Sequence, residues 1–155
     1  MGPTTLAQLL AEGGASLMPR GLVVHVRPAW VADGETRLSY TTIIGLVECC
    51  RECHWQSDIL PSAGSVPVDS ITKTLAAKFH RPIAPRAVIT INYLVSCIRE
   101  RGYLLRFNVR EQGTEEVSAS VDLVSVFYDA SLSEAVEPPA AVLASLRKLH
   151  DTDGH

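Results

Sequence analysis

After a single long helical segment at 39–57, four strand-like segments follow in unbroken succession at 70–80, 87–100, 103–110 and 117–128. Thr90-Ile91-Asn92-Tyr93-Leu94-Val95 and Leu105-Arg106-Phe107-Asn108-Val109-Arg110 alternate in the period of two that gives a strand one buried face. Arg101-Gly102 and Gln112-Gly113 leave room only for tight connections, so neighbouring strands pair antiparallel as hairpins. Such a sheet needs something apolar to cover one face. The segment at 39–57 is the one candidate long enough. Ser39 suits an N-cap, and the segment contains no proline. Ile43, Ile44, Leu46, Val47 and Cys50 spread apolar character over more than one side, with Gly45 a mild defect. Arg51, Glu52 and Gln56 make the second half wetter.

The expected architecture is α+β: a long central helix wrapped by an antiparallel sheet of about five strands. The first strand is Gly21-Leu22-Val23-Val24-His25-Val26-Arg27, ended by Pro28. A short helix at 4–12, closed by Gly13-Gly14, and a helix at 140–149 after Pro138-Pro139 flank this core. Residues 61–67 read as a Pro/Gly/Ser loop. The whole chain, 1–155, is expected to be one domain with its core at about 20–150.

Composition narrows the function. The chain is 46% hydrophobic and 20% charged with a net charge of −3, and it has no basic tract of the kind that neutralises nucleic-acid phosphates. No apolar run reaches the roughly 18 residues of a membrane span. Three of the four cysteines crowd at Cys49, Cys50 and Cys53, unlike a secreted disulfide framework. A cytoplasmic protein with reduced thiols is expected. Cys50-Arg51-Glu52-Cys53-His54 spells the C-x-x-C-H haem-attachment pattern, but its place inside a core helix and the lack of an export signal argue against haem. Only Cys97 remains as a further thiol, so no metal site is expected.

In this order of elements the chain resembles the hotdog thioesterase family, of the 4-hydroxybenzoyl-CoA thioesterase kind, over roughly residues 20–150. Asp33-Gly34-Glu35-Thr36-Arg37-Leu38-Ser39-Tyr40, then Gly45-Leu46-Val47-Glu48-Cys49-Cys50-Arg51, match the family's helix-entry segment and helix. Phe79-His80-Arg81-Pro82, with Pro85-Arg86, resembles its strand ending in a proline. Val124-Ser125-Val126-Phe127-Tyr128-Asp129, then Glu137-Pro138-Pro139, resembles its last strand and closing helix. The family's His and paired Asn are replaced here by Arg37, Ser39 and Tyr40.

The resemblance implies an acyl thioester substrate, carried by coenzyme A or by the phosphopantetheine of an acyl carrier protein, with no other cofactor. It also implies a homodimer, or a dimer of dimers, with sites between subunits. Thioester hydrolysis needs a polarised carbonyl and a carboxylate that activates water or attacks directly. Backbone N–H groups at the helix start, around Tyr40 to Thr42, suit the carbonyl. Two carboxylates fit the second role. Asp33 matches the acid of one family branch. Glu48 resembles the acid of another, the fluoroacetyl-CoA thioesterases, in which a Thr about two turns earlier assists. Thr41 lies seven residues before Glu48 on roughly one face; Thr42, six before, fits less well. Glu48 is favoured because a carboxylate flanked by Val47 and Cys49 must be paired or functional. The plain alternatives are a turn residue for Asp33 and an ion pair with Arg51 for Glu48. His54 and His80 are candidate acid–base or binding partners. Arg37 and Tyr40 border the helix entry, and Arg81, Arg86 and Arg101 are candidates for the phosphates of the thiol carrier. Two other readings keep the fold: addition to, or hydration of, an α,β-unsaturated thioester, and a non-catalytic acyl-binding module.

Overall fold

The strands are β1 (Ala15–Met18), β2 (Gly21–His25), β3 (Val68–Phe79), β4 (Val88–Ile98), β5 (Gly102–Glu111), β6 (Val117–Asp129) and β7 (Glu134–Ala135). The helices are α1 (Leu6–Ala11), α2 (Tyr40–His54), α3 (Leu60–Ala63) and α4 (Ala140–Asp153). This computed structural model describes residues 5–63, 68–129, 131 and 133–153. The seven strands form one sheet in the order β1-β2-β4-β5-β6-β3, with β7 on β6. The four long expected strands are β3 to β6. The short strands β1 and β7 add to the expected set, because neither is long enough to show a period. Thr4 and residues 64–67, parts of the expected N-terminal helix and loop, lie outside the described residues.

The chain divides into two compact units. The first comprises Met1–His54, Ala77–Tyr93 and Phe107–Val121. In it β2 pairs with β4 so that Leu22 faces Ile91 and Val24 faces Ile89, and all four side chains are fully buried. Gly21 starts β2 because a Cβ there would run into the Ile91 carbonyl. α2 buries Ile43, Leu46, Val47 and Cys50, and the Cys50 thiol donates to the Ile91 carbonyl at 3.6 Å. α1 buries Leu6 and Leu9, and the Leu6 N–H donates to the Glu52 carboxylate on α2 at 2.9 Å. Phe107 and Tyr93 place their rings 6.2 Å apart, and Tyr93 meets His54 edge-on at 4.9 Å.

The second unit comprises Trp55–Ala76, Leu94–Arg106 and Asp122–His155. Tyr103 and Phe127, both buried, pack with ring centroids 5.6 Å apart. Val142 and Leu146 of α4 are buried, and α4 packs on α3 and on the turn before it. The Ser62 and Ser145 hydroxyls meet at 2.7 Å, and His150 Nε2 lies 3.2 Å from the Ser96 carbonyl.

The expected helix at 39–57 and loop at 61–67 need correction. Regular α-helix ends at His54, a π-helical turn runs over Trp55–Ile59, and α3 then occupies Leu60–Ala63. Tertiary packing explains the difference. Ile59 is fully buried, and the π-helical turn lies immediately before Pro61, whose ring and missing N–H interrupt the regular i→i−4 ladder there.

Candidate functional site

The N-terminus of α2 is built by its own sequence. The Thr42 N–H donates to the Ser39 hydroxyl at 3.2 Å, that hydroxyl meets Thr42 Oγ1 at 3.0 Å, and the Ile43 N–H donates to the Ser39 carbonyl. Ser39 therefore caps the helix as its residue type predicts. The Tyr40 and Thr41 N–H groups have no acceptor among the described residues, and the helix dipole adds positive potential there. Ser39→Ala is expected to cost about 1 kcal/mol in chemical denaturation. No change in the midpoint would contradict this role for the cap.

Thr41, Gly45 and Glu48 follow one another on a single face of α2. Thr41 is exposed and Glu48 half-buried, and Gly45 sets no side chain between them. Arg51 Nε donates to Glu48 Oε2 at 2.9 Å, with the two side chains 23% and 35% exposed respectively. The ion pair weighed against a functional Glu48 is thus present. At this exposure it contributes little stability, but it fixes the carboxylate's orientation. Asp33 lies in an exposed turn beside Gly34, whose φ is +83°, and no hydrogen bond among the described residues holds its carboxylate.

Aromatic groups border the helix start. Tyr40, 52% exposed, stacks on Phe79 at 4.1 Å with an interplanar angle of 19°, and the Arg37 guanidinium lies 5.8 Å from the Tyr40 ring centroid. The stack brings the expected residues Arg37 and Tyr40 together and adds Phe79, which carried no sequence signal beyond its place at a strand end. His80 and Arg81 follow it. His80 Nε2 lies 3.4 Å from the Ser120 hydroxyl, and Arg81 is ion-paired with Glu116 at a cavity of about 360 Å³. Arg86 is exposed at the left-handed φ of +72°. His54 is 1% exposed, edge-on to Tyr93, on the buried side of α2.

Cys49, Cys50 and Cys53 are buried, Cys97 is half-buried, and none is in a disulfide. Burial, with Glu52 and then Glu48 nearby, pushes the Cys49 thiol up to about 11, and burial raises the Cys50 thiol well above its usual range. Both stay protonated at neutral pH and are poor nucleophiles. Among the described residues no His/Cys/Asp/Glu group is arranged to hold a metal ion, and no helix is long and apolar enough to cross a membrane.

No protein-family model matches the chain, and no curated protein matches it. Its likeness to solved structures is nonetheless extensive. A "probable thioesterase" from Escherichia coli shares 12% identity at a TM-score of 0.75, covering 84% of this chain and 98% of its own. A 1,4-dihydroxy-2-naphthoyl-CoA thioesterase from Synechocystis shares 10% at 0.68, covering 82% of this chain and 94% of its own. A thioesterase from Thermus thermophilus, complexed with coenzyme A and zinc, shares 15% at 0.70, covering 84% and 93%. At these identities the likeness establishes architecture, and that architecture is the one expected from the order of elements: this chain has the α+β hotdog fold.

Proposed function

We propose that the chain hydrolyses acyl thioesters on the exposed face of the first half of α2. The observation that carries this reading is the alignment of two open N–H groups with an oriented carboxylate on one helix face. Seven residues of helix separate Thr41 from Glu48 by about 10 Å along the axis. Helical side chains lean toward the helix N-terminus, which would bring the Glu48 carboxylate across part of that gap. A carbonyl group and a water molecule placed in line would span the rest. The Tyr40 and Thr41 N–H groups would donate to the carbonyl oxygen, and their bonds strengthen as it becomes an oxyanion. Glu48 would take a proton from the attacking water as its oxygen bonds to the carbonyl carbon. Collapse breaks the carbon–sulfur bond, and the proton passes from Glu48 to the departing thiolate. Asp33, exposed and unrestrained, suits this role less well. Thr41 would help place the water.

The three solved relatives are each called thioesterases, which supports the reaction class. In this reading the substrate is an acyl-CoA or acyl-carrier-protein thioester, no separate cofactor is needed, and the protein is a single cytoplasmic hotdog domain. A second copy would add to β3. Among the described residues this strand ends the sheet, which leaves it an edge suited to antiparallel pairing, and the exposed Ile71 and Leu75, 47% and 40%, would give a partner apolar surface to cover. The Tyr40–Phe79 stack, with Arg37 above it and His80, Arg81 and Arg86 following in sequence, would receive the carrier arm or the acyl group.

A panel of saturated and α,β-unsaturated acyl-CoAs tests the reaction. The expected result is free thiol released from saturated substrates, with the matching acid as product. A mass gain on unsaturated substrates without thiol release would instead assign addition chemistry. No reaction across the panel would leave a non-catalytic acyl-binding module.

A further inference from the structure

A second cleft, in the unit that does not contain α2, has no part in the chemistry above. It has a volume of about 370 Å³, within the range of small-molecule pockets. Leu104 of β5 and Val124 and Val126 of β6 supply apolar lining, and Lys73 of β3 with Arg99 and Arg101 of the β4–β5 turn supply three cations. No carboxylate lines it among the described residues, and none of the three cations is ion-paired there. The grouping is unexpected in a chain whose net charge is −3. Lys73, Arg99 and Arg101 are all exposed, and three like charges around one cleft raise the local positive potential, which favours an anion there. The other cation shared between β5 and β6 is paired: Arg106 is bound by Asp122 through two contacts, at 2.9 and 3.2 Å, which raises the Arg106 pKa.

We infer that this cleft binds an amphipathic organic anion, its charged head among Lys73, Arg99 and Arg101 and its apolar body against Leu104, Val124 and Val126. Bare inorganic anions would satisfy the charges but leave the apolar lining wet. A neutral hydrocarbon would do the reverse. The shared chemistry, an anionic head on an apolar body, has two natural sources: a free carboxylic acid with an alkyl chain, and a phosphorylated carrier such as the coenzyme A skeleton. The inference does not rest on the thioesterase reading, because the cleft shares no residue with α2.

Cys97 lines the same cleft and gives it a reporter, since Cys49, Cys50 and Cys53 are buried. The dianionic disulfide 5,5′-dithiobis(2-nitrobenzoate) is expected to label Cys97, located by peptide mass mapping. The rate should fall about tenfold in the Lys73→Gln/Arg99→Gln/Arg101→Gln triple variant, while a neutral dithiodipyridine reacts equally with both proteins. Octanoate or desulfo-coenzyme A should protect Cys97 where sodium chloride of equal ionic strength does not, and which of the two protects identifies the source. Calorimetric titration with the same two compounds gives an answer independent of thiol reactivity, with binding present in the native protein and lost in the triple variant. Equal binding by both proteins, protection by chloride alone, or labelling that slows only as protein concentration rises would overturn the inference. The last of these would assign the face to a second copy of the chain.

Discussion

Replacing Glu48 by Gln is expected to lower the kcat of thioester hydrolysis by about 10²–10⁴-fold, the usual contribution of a positioned general base. Gln retains an oxygen that can accept from Arg51 Nε, so the local geometry survives while the group that takes the proton is lost. The fold should be barely affected, because a half-exposed ion pair contributes at most about 1 kcal/mol. Asp33→Asn supplies the comparison. Its carboxylate stands in an exposed turn with nothing to orient it, so its loss should change kcat only slightly. Steady-state kinetics on an acyl-CoA that the native protein hydrolyses reads both variants. Full turnover in Glu48→Gln, with collapse in Asp33→Asn, would move the chemistry to the helix-entry turn.

The largest stability effect is expected at Phe107. Its side chain is fully buried, and its ring packs on Tyr93, which in turn meets His54 at the end of α2. Truncation to Ala removes a whole aromatic ring from a site whose neighbours belong to strands and a helix and cannot collapse into the space. The expected cost is about 3–5 kcal/mol. For a chain of this size that lowers the melting temperature by roughly 10 °C. Leu17→Ala is the control: Leu17 is 62% exposed, and its loss should change stability by less than about 0.5 kcal/mol. Thermal unfolding followed by far-ultraviolet circular dichroism separates the two. An unshifted Phe107→Ala melt would mean that α2 and its strands are held together from elsewhere.

Much of this fold was legible because period and turn chemistry agree. Phe107 and Val109 alternate with Arg106 and Asn108, and the structure buries the first pair. Gly102 stands at a turn, and a Cβ there would strike the Ser125 carbonyl. Ser39 announced the cap that leaves the Tyr40 and Thr41 N–H groups open, and Glu48 with Arg51 was a visible i, i+3 pair. The features that escaped the sequence depend on distant contacts. The π-helical turn at Trp55–Ile59 and the helix containing Pro61 exist because Ile59 and Ser62 find partners in packing, which no local propensity encodes. Tyr40 and Phe79 come from segments that share no period, and only folding stacks them. Arg101 was a candidate for a phosphate by residue type alone, but nothing in the sequence joins it to Lys73 and Arg99 until strand order places the three at one cleft.

The most direct test is a crystal structure of the protein with an acyl-CoA analogue in which a methylene replaces the thioester sulfur, leaving a ketone that cannot be hydrolysed. The expected result is the ketone oxygen at about 2.7–3.1 Å from the Tyr40 and Thr41 N–H groups, with a water between the carbonyl carbon and the Glu48 carboxylate. A ketone bound away from the start of α2, with Glu48 facing only Arg51, would contradict the proposed site.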